Sequence, residues 1–340
     1  MVTIKDIANI TGVSPTTVAN VIHGRTNKVS KENVERIQKA LKENHYVPKL
    51  AQETMTRGRT RLIGVVIHTT KLYKDTTIAD PFYGTIVGVI ERELRKAGYY
   101  MLLYTEMDLD KIFQMSASWS VAGIITVTFA QKDYEKLRNL IGDCPVVGID
   151  TYGKQGNDIY NVGLDDFSGS FQLVDYLFQG GYEEVLVLME ETAKGADLVR
   201  VEGYKKALKK NGRSYQPKYH IYVDPANREK RRKRLKELQR FAGKNYAIFC
   251  VSDQLAVRTM RSFLEDGYKV PDDIGIAGFD NNIYGTTIYP RLTTVNQDIP
   301  RKSQEAVKML LNLIEGKPVK KREIILPTQL VIRDSTRKPD

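Results

Sequence analysis

The sequence predicts a small all-α helix-turn-helix headpiece followed by a larger α/β core of two open lobes with parallel sheets. Three observations support this prediction. Residues 3 to 24 have the pattern of two short amphipathic helices joined at a glycine, and strands alternate with helices from residue 62 onward. The chain has 340 residues, more than the roughly 250 to 300 that one hydrophobic core usually serves.

The first helix of the pair is expected to begin at Thr3, because a threonine oxygen can accept a hydrogen bond from a free backbone amide. Ser14 followed by Pro15 marks the second start, since proline loses no needed donor at the first helical position. Thr16 and Asn20 follow one turn apart, away from the apolar face. Such a surface fits the major groove, where asparagine can bond an adenine edge and a threonine methyl can touch thymine. Ordinary packed helices share this pattern, so both interpretations stay open on this stretch alone.

Ser30 is expected to cap a third helix, which completes a headpiece of residues 1 to 47. Residues 48 to 61 have a weak helical pattern without an apolar stripe and are expected to form a linker or hinge helix. The core then spans residues 62 to 340, as two series of alternating strands and helices. Its first lobe is expected at about 62–161 and 293–322, and its second lobe at about 162–292 and 323–340.

The net charge of +11 is concentrated in two segments. Residues 1 to 61 hold eleven Lys or Arg against five Asp or Glu, and residues 228 to 240 hold eight against two. Each segment therefore carries +6, and the rest of the chain sums to −1. Positive charge beside a candidate groove-reading helix is typical of a DNA-binding protein. The second segment has apolar residues at helical spacing and is expected to be a solvated surface helix rather than another nucleic-acid site.

Enzyme motifs are missing from the sequence. No G-x-G-x-x-G follows a predicted strand, there is no P-loop lysine and no G-x-S-x-G elbow, and the four histidines lack metal-ligand spacing. We therefore expect no enzymatic activity, no catalytic residues, no metal and no cofactor. No apolar run approaches the roughly 20 residues of a membrane span, and no signal region precedes the first helix. A soluble cytoplasmic protein without membrane contact is expected.

Adjacent aspartates and isolated cysteines receive structural predictions. The pairs at 165 to 166 and 272 to 273 are expected to serve turns or helix caps, because neighbouring side chains point apart. Cys144 and Cys250 are expected to be buried, reduced thiols.

Several separated stretches of the sequence together match the motifs of a known protein family. They are TIKDIA…GVSPTTVANVI, HYVPKLAQETM, SDQLAVRTMRSFLEDGYKVPDDIGIAGFDN, and RLTTVNQD followed by LVIRDS. The sequence resembles the LacI/GalR family of bacterial transcriptional regulators along essentially its whole length. The resemblance implies a hinge helix in the minor groove and a periplasmic-binding-protein-like core of two Rossmann-like lobes, with a small effector in the cleft.

The resemblance also implies a set of DNA contacts. Three residues of the second helix would read bases, two threonines would hold phosphates, and a methionine in the hinge would take the place of an apolar wedge that opens a base step. The residues that would read bases are Pro15, Thr16 and Asn20. The threonines that would hold phosphates are Thr3 and Thr17, and the wedge would be Met55.

Effector contacts are expected beyond the carboxyl ends of the strands, where ligands of such sheets bind. They are Asp80, Phe82, Tyr83, Lys194, Arg200, Asp253 and Asp280. Arg200 matches the arginine of a family R-x-x-G-F/Y motif and could bind sugar hydroxyls or a carboxylate. Asp253 would accept hydroxyl hydrogen bonds or cap the next helix. The group at 80 to 83 would face the effector or start a helix with its aromatics buried.

The predicted function is a sequence-specific DNA-binding transcriptional regulator, a repressor controlled by a sugar or sugar derivative. It would act as a homodimer or tetramer on palindromic double-stranded operator DNA. Two alternatives remain: a solute-binding or sensor protein with the same core, and a regulator controlled by a phosphocarrier protein.

Overall fold

The computed structural model describes residues 2–22, 24–44, 46, 60–68, 77–106, 108–153, 159–224 and 227–339. The chain divides into two compact units, residues 1–60 and residues 61–340. Each unit has its own hydrophobic core.

Among its described residues, the first unit contains three α-helices, as the sequence predicts. They are α1 (Ile4–Thr11), α2 (Pro15–Ile22) and α3 (Lys31–Glu43). One apolar face of each helix is buried in a shared core, which is made of Ile7, Ala8, Val18, Val21, Ile37 and Ala40. So small a core stabilises a domain only modestly.

Side-chain caps begin the helices of this unit. The Thr3 hydroxyl oxygen accepts a hydrogen bond from the Asp6 amide at 3.3 Å, while the Asp6 carboxylate accepts one from the Thr3 amide at 2.8 Å. The Ser14 oxygen accepts one from the Thr17 amide at 3.1 Å. Ser30 does the same for α3. These bonds satisfy amides that have no partner within the helix.

The second unit is an α/β core. Its strands are β1 (Leu62–Ile67), β2 (Tyr100–Thr105), β3 (Gly123–Val127), β4 (Val146–Ile149), β5 (Asn161–Leu164), β6 (Glu184–Glu190), β7 (His220–Val223), β8 (Tyr246–Cys250), β9 (Gly275–Ala277), β10 (Thr294–Asn296), β11 (Glu323–Leu326) and β12 (Gln329–Val331). Its helices are α4 (Pro81–Lys96), α5 (Leu109–Ser118), α6 (Gln131–Ile141), α7 (Asp166–Gln179), α8 (Ala196–Lys210), α9 (Arg228–Glu237), α10 (Asp253–Glu265), α11 (Ile283–Thr287) and α12 (Ile299–Ile314).

Two parallel sheets define two lobes. The first lobe has a six-stranded sheet in the order β11-β5-β4-β3-β1-β2, packed with α4, α5, α6 and α12. The second lobe has a four-stranded sheet in the order β7-β6-β8-β9, packed with α7 to α11. Antiparallel β10 and β12 form a separate pair. The predicted two-lobed α/β fold is confirmed.

Sheet pairing shifts the lobe limits away from the predicted ones. Strand β11 pairs with β5, and β5 pairs with β4, so residues 162–164 and 323–326 lie in the first lobe, not the second. Thr293 bridges to Ala277, and Asn296 bridges to Asp280, so residues 293–296 lie with the second lobe. Residues 161–164 and 323–326 each begin with a polar residue, and the short run that follows gave too little pattern to assign these strands from the sequence. The chain crosses between lobes near residues 165, 297 and 327.

The basic helix α9 is a surface helix, as predicted. It buries Leu235, and the turn after it buries Leu238, while most of its cations are exposed. Both cysteines are free thiols, but only Cys250 is buried; Cys144 is half-buried, which corrects the prediction for that residue. No helix in the described part of the chain is long and apolar enough to cross a membrane.

Candidate functional site

The exposed face of α2 contains the residues predicted to read bases. Pro15 and Thr16 are exposed and Asn20 is half-exposed, while Val18 and Val21 on the opposite face are buried. Within the described residues, the Asn20 carboxamide makes no hydrogen bond of its own. Its donor and acceptor are therefore available to a base edge.

The two threonines predicted to hold phosphates use their hydroxyl groups inside the headpiece. The Thr3 hydroxyl donates to the Asp6 carboxylate at 2.8 Å, and the Thr17 hydroxyl lies 2.9 Å from the Ser14 hydroxyl. Each hydroxyl thus takes part in a helix start. The predicted wedge, Met55, lies outside the described residues.

In the core, Arg200 is buried on α8 and is surrounded by carboxylates from the second lobe. Its Nε donates to Asp166 at 2.8 Å, and its Nη1 donates to the Val251 carbonyl at 2.6 Å. Nη1 also lies 3.6 Å from a carboxylate oxygen of Asp197 and 3.9 Å from one of Asp280. Three carboxylates therefore share one guanidinium. The position of Arg200 was predicted from its motif, but these partners were not.

A second buried cation, Lys302 on α12, belongs to the first lobe. Its ammonium donates to both carboxylate oxygens of Asp150, at 2.9 and 2.7 Å, and to the Gln297 side-chain oxygen at 2.9 Å. The Gln297 amide nitrogen donates to Asp280 at 2.5 Å. Asp150 directly follows β4, so these contacts connect the carboxyl end of a central strand of the first lobe to Asp280 in the second lobe.

Tyr152 completes the connection between the lobes. Its hydroxyl donates to the Asp166 carboxylate and lies 3.5 Å from an oxygen of Asp150. Its ring lies against Gly195 in the second lobe, where an added Cβ would be 3.1 Å from the ring. Its backbone is held in the first lobe by hydrogen bonds with Phe129 and Gln131. Tyr152 is thus a first-lobe residue with second-lobe contacts.

These contacts form a closed circuit of side chains across the cleft. We call it the interlobe ring, and its members are Arg200, Asp166, Tyr152, Asp150, Lys302, Gln297 and Asp280.

Burial and neighbouring charges shift the pKa values of the ionisable groups in this site. Burial raises the pKa of Asp150, although the Lys302 ammonium opposes the shift. Burial raises the pKa of Asp280 well above its usual range and raises that of Asp197 to about 6, with Arg200 opposing both shifts. For Arg200, burial would lower the pKa, but the surrounding carboxylates raise it overall. The guanidinium stays charged and the carboxylates compete for it.

Residues 80 to 83, which were predicted to contact the effector, face the interlobe ring from the first lobe. They also begin helix α4. Asp80 caps α4 by accepting a hydrogen bond from the Phe82 amide at 2.8 Å. The Phe82 and Tyr83 rings meet edge to face at 5.0 Å, and the Lys302 ammonium lies 5.7 Å from the Phe82 ring centre. Burial raises the pKa of Tyr83 to about 12, and nearby carboxylates including Asp80 and Asp197 add to the shift.

Asp253 and Lys194 are placed differently from the other predicted contacts. Ser252, not Asp253, caps α10. The two carboxylate oxygens of buried Asp253 accept hydrogen bonds from the Thr294 hydroxyl at 2.5 Å and the Asn282 amide at 2.9 Å. Asp253 therefore anchors the loop after Asp280.

Lys194 is exposed in the turn before α8, and its ammonium has no hydrogen bond or ion pair among the described residues. Its charge adds to burial in lowering the pKa of His68 in the first lobe. Lys194 therefore lies outside the interlobe ring.

Sequence reasoning missed several members of the ring. Asp150 directly follows a predicted strand, so the strand-end rule that selected Asp280 could have found it. Asp165 caps α7 by accepting from the Ser168 amide at 3.0 Å, as predicted for the 165 to 166 pair, but Asp166 pairs with Arg200 instead. Lys302 lies on a helix distant in sequence, and nothing in its own segment indicates its partner.

Two family models match the chain. Residues 3–49 match the model described as bacterial regulatory proteins, lacI family, and residues 174–336 match the periplasmic binding protein-like domain. The chain is similar to the HTH-type transcriptional repressor PurR of Mannheimia succiniciproducens, with 28% identity over 343 residues that cover 99% of each chain.

Solved structures give the same fold. The chain is similar to the lac repressor dimer bound to operator and the anti-inducer ONPF, with a TM-score of 0.85, 23% identity and 99% of each chain covered. It is also similar to the complex of the transcriptional regulator CelR with cellobiose, with a TM-score of 0.71, 23% identity, and coverage of 98% of this chain and 100% of that one.

Proposed function

The chain is a member of the LacI family, with a lacI-type DNA-binding domain and a periplasmic binding protein-like domain, and we propose that it is a repressor controlled by a small effector. The observation that carries this proposal is the α2 surface. It leaves Thr16 and Asn20 accessible on a headpiece that, together with the linker up to residue 61, carries +6. Such a surface can combine phosphate attraction with base reading.

The DNA ligand in this proposal is a palindromic double-stranded operator bound by a homodimer. The similar lac repressor was solved as a dimer on operator. Two copies of α2 related by a two-fold axis would read two half-sites of the operator. Pro15, Thr16 and Asn20 are the proposed base contacts, and Met55 is the proposed wedge at the centre. A DNA-bound regulator acts where the chromosome is, so we propose a cytoplasmic location.

The effector in this proposal is a sugar or sugar derivative that binds within the interlobe ring. CelR, a similar regulator, was solved with cellobiose. Sugar hydroxyls can donate to the ring carboxylates and accept from the Arg200 guanidinium. A ligand that makes these contacts would change the balance between lobe arrangements, and through residues 48–58 the affinity for DNA. No catalytic role is proposed for any residue, because the relatives are transcription regulators.

Operator binding is the test of this function. A binding site is first selected from random double-stranded DNA, and its affinity is then titrated between about 50 and 200 mM salt. Affinity is expected to fall steeply with salt. Asn20→Ala is expected to weaken binding to the selected site by about 1 to 3 kcal/mol while binding to random DNA stays the same.

Asn9→Ala is the matched control, because Asn9 is an exposed asparagine on α1 outside the proposed reading face. It is expected to bind like the wild type. The proposed function would be contradicted by an operator affinity that does not change with salt concentration. It would also be contradicted if the Asn20→Ala variant kept its full preference for the selected site over random DNA.

A further inference from the structure

The two cations of the interlobe ring are already neutralised by the protein. Lys302 has both oxygens of Asp150 and the oxygen of Gln297 as acceptors. Arg200 gives Nε to Asp166 and Nη1 to a backbone carbonyl. Both side chains are buried, so turning either cation towards an anionic ligand would take it away from a buried carboxylate. Of their nitrogens, only Nη2 of Arg200 has no hydrogen bond among the described residues.

The carboxylates, in contrast, are in excess. Asp197 and Asp280 approach the guanidinium only at 3.6 and 3.9 Å, whereas Asp166 already holds it at 2.8 Å. The Gln297 amide also donates to Asp280, but it brings no charge. Asp80 adds a further negative charge from the first lobe, close enough to raise the pKa of Asp280. Arg258 offsets part of the Asp80 charge. A further positive charge would offset part of this excess.

Asp197 is the carboxylate of this group that a positively charged ligand could reach from solvent. The Asp197 side chain is 30% exposed, whereas the Asp166 and Asp280 side chains are 0% and 9% exposed. Tyr83 faces this region from the opposite lobe, close enough for the Asp197 carboxylate to add to the rise in its pKa, and its ring meets that of Phe82 edge to face. The Phe82 ring already has the Lys302 ammonium 5.7 Å from its centre. Carboxylates combined with aromatic faces are a recurring way to bind an ammonium group, because the faces of the rings are negative.

We propose that the effector of this chain carries a protonated amine, which binds beside Asp197 and Asp280 against the ring of Tyr83. The inference rests on the proposed function, since it names the ligand class of the same cleft. The remaining hydroxyl groups of the effector would bond other members of the interlobe ring. Amino sugars have this combination of groups. A sugar phosphate or sugar acid does not, because its negative charge would meet unpaired carboxylates.

Matched sugar triplets on the full chain test the ligand class. Glucosamine, glucose and glucose 6-phosphate form one triplet, and the galactose compounds form a second. The melting temperature is measured with each compound, because a ligand that binds the folded state raises it. The amino sugar of at least one triplet is expected to stabilise the chain more than its neutral and phosphorylated partners. Calcium chloride is the comparison for simple cation binding.

Asp197→Asn tests the position of the amine. The substitution keeps the side-chain shape, and it is expected to weaken amino-sugar binding by about tenfold or more. Asp143→Asn, at an exposed aspartate on the first lobe, is the matched control and is expected to bind normally. Four results would overturn the inference: no stabilisation by either amino sugar, stronger stabilisation by a neutral or phosphorylated partner, equal stabilisation by calcium, or unchanged binding in Asp197→Asn.

Failure of the inference can be told apart from failure of the proposed function. If a neutral sugar changes affinity for the selected operator, the repressor proposal stands and the amine proposal falls. If the chain shows no salt-sensitive operator binding, the repressor proposal falls whatever the amino sugars do.

Discussion

Lys302 and Asp150 form a bidentate ion pair inside the first lobe, with the ammonium 2.9 and 2.7 Å from the two carboxylate oxygens. Both side chains are buried. The pair joins α12 to the end of β4, and through Gln297 it reaches Asp280 of the second lobe. Because water is largely excluded, each charge depends on the other.

Lys302→Met is therefore expected to destabilise the core by about 3 to 5 kcal/mol, since it leaves the Asp150 carboxylate buried without its counter-ion. The measurement is the free energy of unfolding from urea titration. The double variant Lys302→Met with Asp150→Leu is expected to recover much of the loss. Lys96→Met, which removes a surface pair with Glu93 at 3.2 Å, is the control and should cost less than about 1 kcal/mol. Equal losses in the single and double variants would show that the two charges are not coupled.

Sequence patterns predicted the strands and helix starts whose formation depends on residues close together in the chain. The apolar runs at 62–67, 123–127 and 146–149 became strands with the predicted limits, because each is a largely buried parallel strand. The run at 220–223 did so as well, although Tyr222 on this edge strand is exposed. The helix starts at Thr3 and Ser30 were visible as caps. Strands β5 and β11 were missed because each begins with a polar residue and leaves a run of only three residues as a signal, and because their pairing depends on chain crossings that no local window contains.

The candidate site was predictable only where a motif or a strand end marked it. Arg200 and Asp280, which lie in the interlobe ring, were selected this way, and their contact with an effector stays a prediction. Lys302 and Gln297 were not, because their roles come from contacts between a helix and strands far away in the sequence. Asp166 was expected to serve a turn or a cap, but Asp165 takes the cap and leaves Asp166 for Arg200.

Gly203, two turns of helix from the start of α8, lies where α8 packs directly on α7. A Cβ at this position would collide with the Ser170 hydroxyl oxygen and the Phe167 carbonyl oxygen. Gly203→Ala is therefore expected to destabilise the second lobe by roughly 1 to 3 kcal/mol. Thermal unfolding measures the change.

Gly88→Ala on α4 is the matched control for this substitution. No atom lies within 4 Å of the added Cβ, and alanine is the better helix former. Gly88→Ala is expected to stabilise the protein by about 0.5 to 1 kcal/mol. A Gly203→Ala variant as stable as wild type would mean that α7 and α8 can separate without loss.

The pH dependence of stability should include a contribution from Asp197. Burial raises its pKa in the folded chain to about 6, above the ordinary value of 3.8. The folded state then binds a proton more readily than the unfolded state, so this group lowers stability as pH rises from about 4 to 6. Asp197→Asn, which mimics the neutral form, is expected to melt at a higher temperature than wild type at about pH 7.5, and the difference should vanish near pH 4. A constant difference across that range would rule out this titration as the cause.

Tyr152→Phe tests whether the hydroxyl between the lobes holds them together. The substitution keeps the ring against Gly195 but removes the donor to Asp166. A hydrogen bond to a charged acceptor is worth about 1.5 to 3 kcal/mol, so the lobes should separate more often and the melting temperature should fall. Amide hydrogen exchange should accelerate on both sides of the cleft, near Tyr152 and at the start of α8. Tyr289→Phe, at a tyrosine that is 85% exposed, is the control and should change neither measurement. If Tyr152→Phe left exchange at the cleft unchanged, the ring packing of Tyr152 and the ion pairs alone would account for the contact between the lobes.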